Sequence, residues 1–365
     1  MDAQKRIEQT LLAAAAAAAM FLGGCGSATP VTAVTHSDVY TAGIQVTGNY
    51  LTATYWKNAT AVKLTAETVG SVAYGVAVAE GNVYIAGYEN RNGKDVAMLW
   101  TNGVPKALTD GTLNGHAMAI AVSGSDVYVA GYERGLNADG TPYVVAEYWL
   151  NGQRTLLPSG GQPAQAFSIS VSSGSVYVAG TVIQTTQTSP NSTFTTQVAT
   201  YWKDGVPVYL SHGLYLSVAD AIAISGNDVY VSGAVCTSNV PDCTQAAYWK
   251  NGALVTLSST LLTEAEGIAV AAGEVVAVGI VPSAAGSAAE MWQNGVATPL
   301  TDASSGVARA VTLDAQGNTY AAGTNSQGAA CYWKNGMEFN AEEQVNSLGA
   351  LIPSTAYAIA VVPAQ

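Results

Sequence analysis

Three charged residues occupy the same position in three copies of a repeated segment: Asp220, Glu266 and Arg309. Two carboxyl groups at a suitable separation, one with a raised pKa, can act as the acid and base of glycan hydrolysis. These three residues are therefore the candidates for a catalytic site in a glycan hydrolase or lyase. The competing interpretation is a structural ion pair, in which Arg309 neutralises Glu266 or Asp220.

The equivalent position in the other copies carries aromatic residues and one methionine. In order around the repeats these are Tyr357, Tyr74, Met118 and Phe167. Aromatic side chains on one arc and charges on the other would suit a ligand with an apolar face and a polar edge. Tyr88 and Tyr132 each begin the loop that follows the second predicted strand of their repeat. They either add exposed aromatic rings to this surface or pack on their own repeat.

The histidines and cysteines give no further catalytic site. The histidines are His36, His116 and His212. None of them pairs at metal-ligand spacing, so we expect surface or loop histidines and neither a metal nor a cofactor. Cys236 and Cys243 lie in one loop and are expected to form a disulfide after export. Cys331 stands in an apolar segment and is expected to be a buried, protonated core residue.

The elements that must position these residues are repeats marked by tryptophan. All seven tryptophans stand in variants of the phrase at Tyr332 to Gly336, Tyr-Trp-Lys-Asn-Gly. Trp56 and Trp333 are separated by 277 residues, or about 46 residues per repeat, which is the period of a β-propeller blade. The sequence therefore predicts an all-β, seven-bladed β-propeller of four-stranded antiparallel blades, whose domain extends from residue 38 to residue 365.

Each repeat predicts four strands, here A to D. Strand A alternates small and branched residues, strand B ends in glycine, strand C carries the tryptophan, and Asn-Gly or Asp-Gly makes a tight hairpin to strand D. We expect the glycine to avoid a collision with the adjacent blade. The chain begins at strand B, Asp38 to Gly43, and ends with a strand A, Ala356 to Val361. The two termini are therefore expected to complete one blade and close the ring.

The repeat at Ala308 to Gly323 resembles the seven-bladed propeller repeat of exported bacterial proteins. It has an alternating strand, Asp-x-x-Gly-Asn, and a final Tyr-x-x-Gly. The other copies share this frame but mostly lack the aspartate. The resemblance covers residues 38 to 362 and implies the fold and export, but it implies no fixed catalytic residue.

Residues 1 to 24 are predicted to be an export signal, because Lys5 and Arg6 precede a short apolar run. The signal ends in Leu22-Gly23-Gly24-Cys25, which resembles the lipobox of bacterial lipoproteins. The resemblance implies acylation of Cys25, with residues 25 to 37 as a lipidated tether to the membrane. Gly26 replaces the aspartate of an inner-membrane retention signal, which favours the outer membrane. The alternative is an ordinary secretory signal with an incidental cysteine.

Composition and loop variation lead to the predicted function. The formal charge of −12 argues against nucleic acid as a partner. Only 10% of residues are charged, against roughly 25% in an ordinary soluble domain, which is typical of a β-rich extracytoplasmic protein. The A–B and C–D turns are uniform, whereas the B–C and D–A loops vary, with the longest B–C loop at residues 181 to 197. We therefore expect a monomeric, non-catalytic scaffold that binds an envelope protein or glycan through its variable face.

Overall fold

The computed structural model describes residues 37 to 364, except 137–139, 141, 190–191, 212–215, 237–242, 285, 303–304 and 342–351. The predicted signal, the tether, Cys25, His36 and His212 lie outside the described residues. Within the described part no helix is long and apolar enough to cross a bilayer.

The described chain is all-β and forms seven four-stranded antiparallel sheets, which are the blades of a propeller. Blade one contains β28, β1, β2 and β3, and each later blade uses four consecutive strands. In chain order the strands are β1 (Ser37–Thr47), β2 (Tyr50–Lys57), β3 (Thr60–Lys63), β4 (Ser71–Ala79), β5 (Asn82–Arg91), β6 (Lys94–Thr101), β7 (Val104–Ala107), β8 (Asn114–Ser123), β9 (Asp126–Leu136), β10 (Pro142–Leu150), β11 (Gln153–Leu156), β12 (Ala164–Ser172), β13 (Ser175–Ser189), β14 (Ser192–Lys203), β15 (Val206–Tyr209), β16 (Ser217–Ser225), β17 (Asp228–Cys236), β18 (Thr244–Lys250), β19 (Ala253–Thr256), β20 (Glu264–Ala271), β21 (Glu274–Ser283), β22 (Gly286–Gln293), β23 (Val296–Pro299), β24 (Val307–Leu313), β25 (Thr319–Thr324), β26 (Ala330–Lys334), β27 (Met337–Asn340) and β28 (Ser354–Pro363).

The last strand closes the ring, as the sequence predicts. β28 pairs antiparallel with β1 from Ser37 opposite Pro363 to Gln45 opposite Ser354. Ile359 of β28 is buried in a cluster shared with Tyr320 of blade seven. The closing strand therefore supplies both the inner edge of blade one and part of the packing between blades one and seven.

The tryptophans form the cores between blades. All seven are at most 2% exposed. Trp249, for example, packs with Tyr177 and Ala199 of the preceding blade. Burial of such a large ring contributes several kcal/mol, roughly 25 cal/mol for each Å² of apolar surface removed from water. The repeated tryptophan is therefore a packing residue and not part of a binding surface.

Every strand A contains a β-bulge opposite the glycine that ends strand B. A Cβ built on any of the seven glycines would lie 1.8 to 2.0 Å from a backbone carbonyl oxygen of the strand A in its own blade. For Gly131 this atom is the carbonyl oxygen of His116. The expectation of a collision with the adjacent blade is therefore wrong, because the glycine instead makes room for the bulge within its blade.

The asparagine of the Asn-Gly turn ties the two turns of each blade together. Its side-chain oxygen accepts a hydrogen bond from the backbone N–H at the start of strand B, at 2.8 to 2.9 Å. The acceptor and donor residues are Asn58 with Val39, Asn102 with Val83, Asn151 with Val127, Asp204 with Val176, Asn251 with Val229, Asn294 with Val275 and Asn335 with Thr319. The turn residue is thus selected by this hydrogen bond as well as by its positive φ.

Loss of this hydrogen bond is expected to destabilise the blade. Asn102→Ala removes the acceptor for Val83 and leaves alanine at a φ of 49°, so we expect a loss of about 1 to 2 kcal/mol in urea unfolding. Asn102→Asp keeps the acceptor, as Asp204 does in blade four, and is expected to cost less. Equal losses in the two variants would contradict a role for the acceptor oxygen.

Five B–C connections are strand extensions. In blade four β13 and β14 stay paired from Tyr177 opposite Lys203 out to Ser189 opposite Ser192. The predicted variable loop at residues 181 to 197 is therefore a long β-hairpin, because its run of threonines favours extended backbone. Strands B and C are extended in the same way, but less far, in blades one, two, three and six. We call the B–C and D–A end of the propeller the variable face.

The described cysteines have the predicted states. Cys236 and Cys243 form a disulfide, with their Cα atoms 5.1 Å apart. Cys331 is fully buried, and this burial raises the pKa of its thiol, so it is not a reactive nucleophile.

Candidate functional site

The seven bulged residues of the inner strands converge on the central channel. The ladder register shifts in every strand A and leaves the bulged residue without a partner opposite it. These residues are Tyr357, Tyr74, Met118, Phe167, Asp220, Glu266 and Arg309, and all line one cavity of 690 Å³. The bulge therefore turns one side chain from each blade toward the axis. Each bulge is near the start of strand A, so the cavity opens on the variable face.

The channel wall below the bulges is apolar and narrow. It is formed by residues one and two positions further along strand A, such as Gly75, Ile120 and Val311. A Cβ on Gly75 would approach the Cα of Ala119 in the next blade to 3.1 Å. Small residues at this position therefore let the inner strands come close together, as the sequence predicts. The polar and aromatic groups are thus concentrated at the mouth.

The charged arc contains one ion pair. Arg309 Nη1 donates to Glu266 Oε2 at 2.6 Å, and the Arg309 guanidinium lies 5.2 Å from the centre of the Tyr357 ring. Glu266 belongs to blade six and Arg309 to blade seven. The ion-pair interpretation is therefore correct for Glu266, but the pair lines the cavity and is not buried between the blades.

Asp220 and Glu264 form a second acidic pair on this arc. The two carboxyl groups are close enough for each to influence the pKa of the other. Burial raises the pKa of Asp220 well above its usual range, and the charges of Glu264 and Glu266 raise it further. Burial likewise raises the pKa of Glu264, against the opposing effects of Asp220 and Arg309. Asp220 Oδ2 is buried and makes no hydrogen bond within the described chain.

Aromatic rings form a continuous row on the opposite arc. Successive ring centres from Tyr357 to Phe167 are 4.7 to 6.4 Å apart. In order the row is Tyr357, Tyr74, Tyr88, His116, Tyr132 and Phe167. Burial raises the pKa of Tyr88 to about 12 and also raises the pKa of Tyr132. The phenols therefore stay neutral at physiological pH, and the row presents uncharged rings.

His116 lies inside this row. It is 5% exposed and stacks on Tyr132 with an interplanar angle of 7°. Its Nε2 is 3.3 Å from Asp95 Oδ2, although the geometry does not satisfy a hydrogen bond. Burial lowers the pKa of His116 more than Asp95 raises it. The expectation of a surface or loop histidine is therefore wrong for His116, which is a neutral member of the aromatic row.

Most residues of the channel mouth were predicted from the sequence, but two were missed. The nine predicted binding residues comprise the seven bulged residues that line the cavity and Tyr88 and Tyr132, which stand behind them in the aromatic row. Glu264 and His116 were missed. Both immediately precede the first alanine of a strand A, and Glu264 is two residues from Glu266, a spacing that favours one face of a strand. No group of three His, Cys, Asp or Glu residues in the described chain is placed to hold a metal ion.

A second charge cluster, with buried carboxyl groups and an exposed arginine, lies in blade three, away from the cavity. Arg154 on β11 donates to Glu147 on β10 and to Glu133 on β9. Glu147 is fully buried, and this burial raises its pKa to about 7 despite the attraction of Arg154. The cluster is therefore a structural network whose charge changes near neutral pH.

This cluster predicts a loss of stability as pH rises. Because the folded pKa of Glu147 is above the usual 4.5, its contribution is fully present below 4.5 and is lost as pH rises through 7, a change on the order of 3 kcal/mol. The free energy of unfolding in urea is the quantity to compare. Relative to wild type, Glu147→Gln should therefore be more stable at pH 8 than at pH 5. The exposed control Glu80→Gln should show no such dependence. Equal effects of Glu147→Gln at both pH values would contradict this assignment.

The fold and site define a seven-bladed β-propeller whose channel mouth is half aromatic and half acidic. Among solved structures, the chain is similar to the β-propeller domain of the trilobed protease from Pyrococcus furiosus. The identity is 10%, the TM-score is 0.48, and the match covers 84% of this chain and 94% of that chain. No protein-family model matches the sequence, and no curated protein matches it.

Proposed function

We propose that this protein is a non-catalytic scaffold of the bacterial envelope that binds a protein or glycan partner at the channel mouth of its variable face. The observation that carries this proposal is the cavity of 690 Å³ lined by all seven bulged residues. Its volume is within the range of pockets that bury small ligands or the projecting group of a larger one, roughly 300 to 1,000 Å³. The bulged residues at the mouth differ strongly between blades, as expected for a site that recognises an asymmetric ligand.

The contrast between the two faces supports the same location. The A–B and C–D turns carry the repeated asparagine hydrogen bond in every blade. The B–C connections vary in length, from the short one after Thr324 opposite Ala330 to the longest, which reaches Ser189 opposite Ser192. Exposed residues such as Phe194, at 39% exposure, extend this face beyond the channel. Loops that vary on a rigid frame are the usual place for binding residues.

A pull-down with the soluble mature domain tests this function. Immobilised wild type should retain a partner from envelope extract, and Tyr74→Ala with Phe167→Ala should lose it. The matched control is Phe339→Ala, which removes an exposed ring from the outer strand β27. A second variant joins Gln184 to Thr196 through Asn-Gly and shortens the hairpin of blade four at a paired position. No partner with wild type, or equal recovery with the mouth variant, would overturn the proposal.

The alternative function is an envelope glycan hydrolase or lyase. It is favoured by the two carboxyl groups of Asp220 and Glu264 in the cavity lining, because a carboxyl group with a raised pKa can act as a general acid. Glu266 and Arg309 neutralise each other beside this pair. An enzyme predicts turnover of envelope glycan that Asp220→Asn abolishes without loss of folding. Binding without turnover by wild type would support the scaffold.

The envelope location rests on the sequence at Leu22-Gly23-Gly24-Cys25. We expect wild type to fractionate with membranes, because an acylated N-terminus inserts its chains into the bilayer. Cys25→Ala should release the protein into the soluble envelope fraction. Cys331→Ala serves as the matched control and should remain with membranes. If Cys25→Ala still fractionates with membranes, another element anchors the protein.

A further inference from the structure

The channel mouth has more acidic than basic groups. Asp220, Glu264 and Glu266 line the cavity, and Arg309 is its only basic lining residue in the described chain. Because Arg309 is paired with Glu266, neither Asp220 nor Glu264 forms an ion pair in the described chain. Two neighbouring acidic groups without an ion-pair partner have a place for one positive charge.

The opposite arc already holds a cation on an aromatic ring. The Arg309 guanidinium lies 5.2 Å from the centre of the Tyr357 ring, within the distance of a cation–π interaction. Tyr74 follows with its ring centre 5.3 Å from that of Tyr357, and it lines the same cavity. The rings of Tyr357 and Tyr74 therefore form one aromatic surface that attracts positive charge. Tyr74 is the part of this surface further from Arg309.

Resting on the proposed function, we infer that the ligand of the channel mouth carries an alkylammonium group, held between Asp220 and Glu264 on one side and the rings of Tyr74 and Phe167 on the other. Asp220 and Glu264, which line the cavity, supply the carboxyl oxygens for the positive charge. Met118 lies between the two rings in the order of the blades and contacts the apolar part of the ligand. The formal charge of −12 draws cations toward the protein.

A glycan without positive charge fits these features less well. Its hydroxyl groups can donate to carboxylates, but it does not compensate the negative charge of ionised Asp220 and Glu264. An ammonium group compensates this charge, and its methyl or methylene groups contact the aromatic rings.

Choline and its neutral isostere, 3,3-dimethylbutan-1-ol, test this inference by calorimetric titration at pH 8. The two probes have the same shape and differ in charge. We expect wild type to bind choline at least tenfold more tightly than the isostere. Asp220→Asn with Glu264→Gln should weaken choline binding by about tenfold and leave isostere binding unchanged, while Glu80→Gln, on an A–B turn away from the mouth, should leave both unchanged. A short peptide with one central lysine tests whether the ammonium group belongs to a protein side chain or to a small molecule. If it belongs to a protein, the peptide should bind more tightly than choline.

The outcomes separate this inference from the proposed function. Equal affinity for choline and the isostere would overturn the inference and leave the pull-down result standing. Failure of both probes and of the lysine peptide would also overturn it. If wild type captures no partner in the pull-down but still binds choline more tightly than the isostere, the proposed scaffold function is overturned and the ammonium site stands. A circular dichroism melt of each variant checks its folding, and unchanged isostere binding confirms that the cavity is intact.

Discussion

Gly131→Ala is expected to lower the free energy of unfolding by about 3 kcal/mol or more, or to prevent folding. The new Cβ would lie 1.9 Å from the carbonyl oxygen of His116. This oxygen belongs to the backbone of the bulge in β8 and cannot retreat without breaking the ladder between β8 and β9. The bulge also directs Met118 into the channel, so the substitution should disturb the mouth as well as the blade.

Gly70→Ala is the control for this prediction. Its Cβ would have only Asn90 Cβ within contact range, at 3.8 Å, and we expect a change below about 0.5 kcal/mol. Both variants are measured by urea unfolding. A similar small effect for Gly131→Ala would show that the bulge can move, and it would contradict the account of the seven glycines.

Removal of β28 is expected to destabilise the whole ring. Truncation after Pro353 deletes the partner of β1 along its length and removes the buried Ala356 and Ile359 from the packing between blades one and seven. We expect a loss of about 5 kcal/mol or more, together with concentration-dependent aggregation through the bared edge of β1. Thermal melting and light scattering measure the two effects.

Truncation after Pro363 is the matched control, because it leaves β28 complete. Its melting temperature should equal that of the full domain. If truncation after Pro353 also leaves the melting temperature unchanged, the termini do not hold the ring closed.

The repeat explains why the fold could be predicted from sequence. Trp249, Asn251 and Gly252 recur with little change in other blades, because the inter-blade core, the bond to strand B and the tight turn are each needed in every blade. A residue that every blade needs recurs at a regular spacing and can therefore be recognised in the sequence. No residue type is specific to a bulge, so the sequence did not predict one. The glycine opposite the bulge was therefore expected to avoid a collision with the adjacent blade, whereas it avoids one with strand A of its own blade.

The site could be predicted only where it follows the repeat. The bulged position identified Asp220, Glu266 and Arg309 as neighbours on the axis, but the partner of Arg309 depends on the separation of adjacent blades. Glu264 and His116 are found at a position that other blades fill with uncharged residues, so the repeat did not mark this position as part of the site. Their roles come from contacts across blades, which no local pattern contains.

The most direct test of the channel mouth uses the methyl groups of methionine. Met118 lines the cavity, Met98 is buried in a blade core, and Met337 is 64% exposed on the outer strand β27. Nuclear magnetic resonance of methyl-¹³C-methionine protein is recorded before and after addition of the envelope fraction that the immobilised domain retains. If the channel mouth is the binding site, the Met118 signal shifts and the signals of Met98 and Met337 stay in place. A shift of Met337 with an unchanged Met118 signal would contradict binding at the mouth.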